Sequence, residues 1–194
     1  MRIGVDLDEV LADYLNAVLK YYNFTKGTDL KWEDFFSYDF WKVWGGTVEE
    51  MIDELYAFYQ SSYFKSMGLV KGAKEGIAEL RKDNELFIIT SRQDDISEVT
   101  RNWVEENFPG VFAGVYFVNN YSRTGQRRTK VEVCDQLKIE VLLEDQTKYA
   151  LECVSDNRKV VLFDYPWNQE LDQREGIYRV ADWPEAIEVI NSLS

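Results

Sequence analysis

The chain has 194 residues, with 22 Lys and Arg against 35 Asp and Glu, a formal charge of −13, and no histidine. A surface that negative repels phosphate backbones, which disfavours duplex nucleic acid as a partner. The missing imidazoles exclude Ser-His-Asp and Cys-His nucleophile systems and any His-ligated metal.

In chain order, Arg2 to Leu7 reads as a first strand, with Ile3, Val5 and Leu7 in a short apolar run. A helical stretch follows, carrying Val10, Leu11, Tyr14, Leu15, Val18 and Leu19 at three- and four-residue spacing. From about residue 22 to 70 no strong strand pattern occurs. Thr47 with Glu50 three residues on is a capping box for a helix through Gln60. More than half of the aromatics fall between Tyr14 and Gly72. Gly72 to Lys82 reads as a helix and Leu86 to Ile89 as a second strand. Asp95 with Glu98 is a capping box for a helix toward Phe108, closed by Pro109 and Gly110. Val115 to Val118 is a third strand, Thr129 to Leu137 a short helix, and Ile139 to Leu143 a fourth strand. Tyr149 to Val154 is helical, Val160 to Phe163 a fifth strand and Ile177 to Val180 a short sixth. The closing helix starts near Asp182 and runs to about Leu193.

This alternation predicts an α/β protein with a Rossmann-like parallel sheet core. Residues 1–14 and 72–194 form the core, and residues 15–71 a helical, aromatic-rich cap inserted after the first strand. Most cap aromatics give that segment its own interior. A few, with Tyr14, Trp41 and Trp44 as candidates, face the site and stack on a flat ligand. Cys134 and Cys153 are too few for a disulfide framework or a four-thiolate zinc site, and read as small buried hydrophobes. No run approaches the roughly 18 apolar residues of a membrane span. The first residues run straight into a strand with acids, unlike a secretory signal, so a cytoplasmic location is expected.

Ligands of open α/β sheets bind beyond the carboxyl ends of the strands. The first strand ends in Asp6, Leu7, Asp8; the second in Thr90, Ser91, Arg92; the fourth in Glu144, Asp145. Lys130 opens the helix before the fourth strand. Clustered carboxylates are costly unless protonated or neutralised by a cation. With oxygen donors only, the fitting ion is hard, and Mg²⁺ suits best. One Asp can then attack phosphorus, and a second, two residues on, can serve as general acid and base. Thr, Ser and Lys supply donors and positive charge to phosphoryl oxygens.

Ile3-Gly-Val-Asp-Leu-Asp8, Ile88-Ile-Thr-Ser-Arg92, Lys130 and Leu142-Leu-Glu-Asp145 resemble, in order, the four motifs of the haloacid-dehalogenase-like phosphatases. Val10-Leu-Ala-Asp13, the aromatic cap and Leu162-Phe-Asp-Tyr-Pro-Trp-Asn168 make the chain similar to the cytosolic type C 5′(3′)-deoxyribonucleotidase family. The resemblance implies a Mg²⁺-dependent phosphomonoesterase whose partner is a small phosphomonoester. Asp6 would be the nucleophile and Asp8 the general acid and base. Thr90, Ser91 and Lys130 would bind phosphate. Asp6, Asp145 and the backbone carbonyl of Asp8 would hold the metal, with Glu144 beside the ligands or behind them. Two positions depart from the family pattern: Glu9 stands where it usually has Gly, and Glu144 where it usually has Asp.

Arg92 is a candidate contact of either the substrate or the cap. Arg123, Arg127 and Arg128 read as a solvated loop, with a lesser chance of steering an anion. Asp164-Tyr-Pro-Trp-Asn168 follows the fifth strand and reads as a structural turn, with a role beside the site as the alternative. The leading reading is a phosphatase for nucleoside or deoxynucleoside monophosphates. The alternatives are a phosphatase for another small phosphorylated metabolite, or a non-catalytic phospho-ligand module resembling a receiver. A receiver would place its acceptor Asp after the third strand, where Asn119 and Asn120 stand.

Overall fold

β1 (Arg2–Val5) lies inside a sheet of six strands, with β2 (Glu85–Thr90) on one side and β4 (Val141–Glu144) on the other. Beyond them lie β3 (Gly114–Phe117), β5 (Lys159–Phe163) and β6 (Ile177–Val180), in the order β3-β2-β1-β4-β5-β6 with every pairing parallel. The computed structural model describes residues 1–123 and 125–193; Thr124 and Ser194 lie outside the described residues.

Alternation along the strands feeds two buried layers. Ile3, Val5, Ile88, Leu143 and Val161 pack on one face, with α5 (Ala73–Leu80), α6 (Ser97–Asn107) and α9 (Trp183–Ser192) contributing to that cluster. Phe87, Ile89, Leu142, Val160 and Leu162 pack on the other, against α7 (Lys130–Leu137) and α8 (Thr147–Cys153). Cys134 and Cys153 are free and fully buried in this second layer, as small hydrophobes should be.

Between β1 and α5 the chain forms four α-helices, α1 (Tyr14–Lys26), α2 (Trp41–Trp44), α3 (Val48–Tyr59) and α4 (Ser62–Lys65), and a 3-10 turn over Trp32–Asp34. The capping box at Thr47 and Glu50 is present, and α3 starts there. Tyr14, Phe58, Tyr59 and Phe64 form a connected aromatic interior, with ring centroids 5.1–5.9 Å apart.

Two local readings need correction. The first helix begins at Tyr14 rather than Val10, because Leu11 and Ala12 donate their N–H groups back to the Leu7 carbonyl in a tight turn. Val10 and Leu11 are apolar because that turn is buried, and the Trp183 indole donates to the Val10 carbonyl at 3.0 Å. Asp95 does not cap the helix that follows. A 3-10 turn over Asp94–Ile96 precedes α6, and the Asp95 carboxylate accepts from the Tyr56 hydroxyl at 2.7 Å. No helix among the described residues is long and apolar enough to cross a membrane.

Candidate active site

The strand order reverses direction between β1 and β4, and the carboxyl ends of these two strands open the crevice where α/β ligands sit. Asp6 follows β1 directly, its N–H donating to the Leu143 carbonyl at 3.0 Å, which sets it beside Glu144 and Asp145. Thr90 ends β2, and Lys130 opens α7 behind the Thr129–Glu132 capping box. Each group therefore sits where a regular element stops or starts, and none depends on a long loop for its position.

The Lys130 ammonium bridges Asp6 Oδ2 at 2.9 Å and Glu144 Oε2 at 2.7 Å, with all three side chains buried. Glu144 Oε1 accepts the backbone N–H groups of Asp145 and Gln146, both at 3.2 Å. Both Glu144 oxygens are thus spent on holding Lys130 and the turn after β4. One carboxylate oxygen from each of Asp6, Glu144 and Asp145 lies within 4.8 Å of the others. The remaining oxygens Asp6 Oδ1 and Asp145 Oδ1 are buried without a hydrogen-bond partner.

The electrostatics follow from burial. Desolvation pushes the Asp6 carboxyl up to about 7; Lys130 opposes it, while Glu144 and Asp8 add to it. Asp145 is held well above the usual carboxylate range by burial, then by Glu144 and Asp6. Burial works against the charged form of Lys130, yet Asp6 and Glu144 raise it well above its ordinary value. Three carboxylates are buried together, one ammonium bridges two of them, and two of their oxygens have no donor. A hard divalent cation fits this donor set, which is all oxygen.

Asp8 pairs with a different cation. Arg92 Nε and Nη2 grip its two carboxylate oxygens at 3.1 and 2.6 Å. Arg92 is itself buried, donates to Thr100 Oγ1 at 3.1 Å, and stacks over Phe64 at 4.9 Å. Arg92 also lines the cavity, though its fork is committed to Asp8.

A cavity of about 310 Å³ opens over this floor, with Asp8, Ser91, Tyr14, Tyr38, Tyr149 and Trp167 in its wall. The cavity wall does not include Asp6, Thr90, Lys130 or Asp145, all of which are buried. Tyr14 faces the cavity, as the sequence suggested. Trp41 and Trp44 do not: the Trp44 ring stacks on Tyr22 at 4.2 Å and 6°, and Trp41 packs against the interior of the helical insert. Arg123 also faces the insert, pairing with Asp53 and lying over the Tyr56 ring, while the Arg128 guanidinium donates to Gln136.

Glu9 stands out in the sequence only as a departure from the family pattern, and Trp167 and Asn168 only as part of a turn; the structure puts all three at the site. Glu9 adopts a left-handed φ of 60° and is buried. Its carboxylate accepts the Leu15 N–H at 2.8 Å and the Tyr38 hydroxyl at 2.7 Å, and burial pushes it up to about 8. Its backbone carbonyl accepts the Tyr165 hydroxyl at 2.8 Å. Trp167 donates its indole N–H to Asp145 Oδ2 at 3.0 Å, and Asn168 Nδ2 donates to the Asp145 carbonyl at 2.7 Å. The signal for the last two was Pro166, which starts a 3-10 turn over Pro166–Asn168 shortly after β5 ends.

Comparison with known proteins agrees with this geometry. The family model described as 5′ nucleotidase, deoxy (pyrimidine), cytosolic type C protein matches residues 1–193. A nucleotidase of Clostridium acetobutylicum is 23% identical, covering 100% of this chain and 95% of its own length. A 5′(3′)-deoxyribonucleotidase of Bacillus subtilis is 23% identical, over 94% of both chains. Among solved structures, a haloacid dehalogenase-like hydrolase from Streptococcus pneumoniae superposes with a TM-score of 0.66 at 13% identity, over 97% of both chains. YfnB from Bacillus subtilis, solved bound to magnesium, superposes with a TM-score of 0.64 at 13% identity over 98% of both. The chain belongs to the cytosolic type C 5′-deoxynucleotidase family and is a hydrolase with the haloacid-dehalogenase-like fold.

Proposed function

We propose that this protein is a Mg²⁺-dependent phosphomonoesterase acting on nucleoside or deoxynucleoside monophosphates in the cytoplasm, through a phosphoryl group carried on Asp6. The observation that carries the reading is the division of oxygens at the floor. Lys130 engages one oxygen of Asp6, while Asp6 Oδ1 and Asp145 Oδ1 lie buried without donors.

The carboxylates of Asp6 and Asp145 and the backbone carbonyl of Asp8 would hold Mg²⁺, which when bound neutralises the buried acids and draws negative charge from the phosphoryl oxygens. Lys130 favours the ionised form of Asp6 and orients it, and Glu144 keeps Lys130 in place. An Asp6 oxygen attacks phosphorus and forms a P–O bond as the ester P–O bond breaks. Asp8 gives a proton to the departing alkoxide oxygen, releasing the alcohol. Asp8 then takes a proton from water as that water attacks the phosphoryl group. The bond to Asp6 breaks and inorganic phosphate leaves. Thr90 and Ser91 supply donors to the phosphoryl oxygens through both steps. The insert, residues 15–71, acts as a cap, and Tyr14 and Tyr38 in the cavity wall favour a leaving group with a flat ring.

The test is phosphate release from 5′- and 3′-deoxynucleotides, ribonucleotides, sugar phosphates and an aryl phosphate, with and without Mg²⁺. Asp6→Asn serves as control. Mg²⁺-dependent preference for nucleotides, lost in Asp6→Asn, is expected. Preference for a sugar phosphate would reject the substrate, and turnover by Asp6→Asn would reject the nucleophile.

A further inference from the structure

The turn after β5 presents a tryptophan to the acidic cluster and is built to hold it still. Pro166 fixes the start of the turn, and Asn168 Oδ1 accepts the Tyr165 N–H at 3.3 Å. Asn168 Nδ2 donates to the carbonyls of Asp145 and Phe163, both at 2.7 Å, tying the turn to the ends of β4 and β5. Arg179 on β6 donates to the carbonyls of Asn168 and Leu171, at 2.9 and 3.2 Å. The Trp167 ring lies on the Tyr165 ring at 4.7 Å and 19°, with Trp32 and Tyr38 of the insert at 5.5 and 5.4 Å. The indole is buried, and its single donor is spent on Asp145 Oδ2 at 3.0 Å.

That bond has a specific effect. A carboxylate beside a cation can turn about its last torsion and present either oxygen, or both. With Oδ2 engaged by the indole, Oδ1 is the oxygen left unpaired in the buried cluster. A donor on the far oxygen of a metal-binding carboxylate fixes its orientation, and loss of such a partner weakens metal binding by roughly 10- to 100-fold.

We propose that Trp167 is a positioning residue for the metal: its indole N–H fixes the Asp145 carboxylate so that one oxygen is offered to Mg²⁺, while its ring forms part of the substrate cavity wall. The inference rests on the Mg²⁺ reading above. It assigns the tryptophan a task that a purely structural turn would not need. Leu or Phe would fill the same space, but neither could donate to Asp145.

The experiment is calorimetric titration of the whole, metal-stripped protein with MgCl₂, comparing wild type, Trp167→Phe and Trp32→Phe. Trp32 touches the Trp167 ring and is the control for packing. Trp167→Phe keeps a ring in the wall and removes the donor. It should weaken Mg²⁺ binding on the order of tenfold. Trp32→Phe should bind Mg²⁺ as wild type does. Equal affinity in wild type and Trp167→Phe overturns the inference, as does an equal loss in Trp32→Phe. Wild type that takes no Mg²⁺ overturns the metal reading, and the inference falls with it. If Trp167→Phe does not fold, wild-type protein labelled at its six tryptophan indoles gives a second measurement. One indole N–H resonance should move as Mg²⁺ is added, and no movement in any of the six overturns the inference.

Discussion

Arg92 closes on Asp8 with both prongs of its guanidinium, 2.6 Å from one carboxylate oxygen and 3.1 Å from the other. The Arg92 side chain is 2% exposed and that of Asp8 16%, so the pair stands at the boundary between the interior and the cavity. The residue two positions after Asp6 therefore stands in the cavity wall with both carboxylate oxygens engaged by a buried cation.

Removing one member of a buried ion pair costs more than the pair is worth, because it strands the other charge. Asp8→Asn leaves Arg92 buried and uncompensated. It should lose about 3–5 kcal/mol of unfolding free energy in urea, in addition to its turnover. The double variant Asp8→Asn with Arg92→Met should recover part of that stability and none of the activity. Additive losses in the double variant would show that the two side chains do not act as a pair.

Glu9 supplies a pH dependence with a defined sign. Its carboxyl stands at about 8 in the folded protein against an ordinary 4.5, because burial opposes the charged form. The folded state thus holds a proton there more tightly than the unfolded chain. The stability this gives is complete below about pH 4.5 and is lost as pH rises through about 8. Glu9→Gln cannot ionise. The stability difference between variant and wild type should therefore shift toward the variant between those limits, by roughly 3–5 kcal/mol in all. Chemical unfolding at a series of pH values without added metal measures it. A difference that stays flat across the range would mean that Glu9 titrates as an ordinary surface carboxylate.

The aromatics of the insert should separate into two groups. Trp44 is stacked on Tyr22 and lies outside the cavity wall, whereas Tyr38 is in that wall and bonded to Glu9. Trp44→Ala should lower stability by about 1–2 kcal/mol, the scale of a lost aromatic pair plus partial burial, and leave KM unchanged. Tyr38→Leu should raise KM for a nucleotide more than for a small aryl phosphate. Thermal melts and paired KM measurements decide it; the same KM change from both variants would mean that the insert responds as one body.

The contrast between these residues marks what the sequence makes legible. Asp6, Thr90, Lys130 and Glu144–Asp145 each end a strand or open a helix, so local periodicity gives both their identity and their place. The parallel order of the sheet follows from the same alternation. Trp167 and Arg92 were not legible in this way. Their partners lie 22 and 84 residues away, and no local pattern encodes a side-chain hydrogen bond across that distance. Asp95 had the right spacing for a cap and lost to a competing donor, Tyr56, from a different part of the chain. Trp41 and Trp44 were counted as aromatics near the site. Composition does not distinguish a ring turned into a cavity from one turned onto a neighbouring helix.

The central pairing of β1 with β4 joins segments far apart in the chain, with the N–H of Arg2 reaching the Glu140 carboxylate across 138 positions. Contacts that close so long a loop cost the most chain entropy and tend to form late during folding. A chain emerging from synthesis carries Asp6 from its first residues but has neither Lys130 nor the acids after β4 to set beside it. Such a nascent chain has no assembled acid cluster, and so is chemically silent toward phosphate esters until its second half has been made and paired.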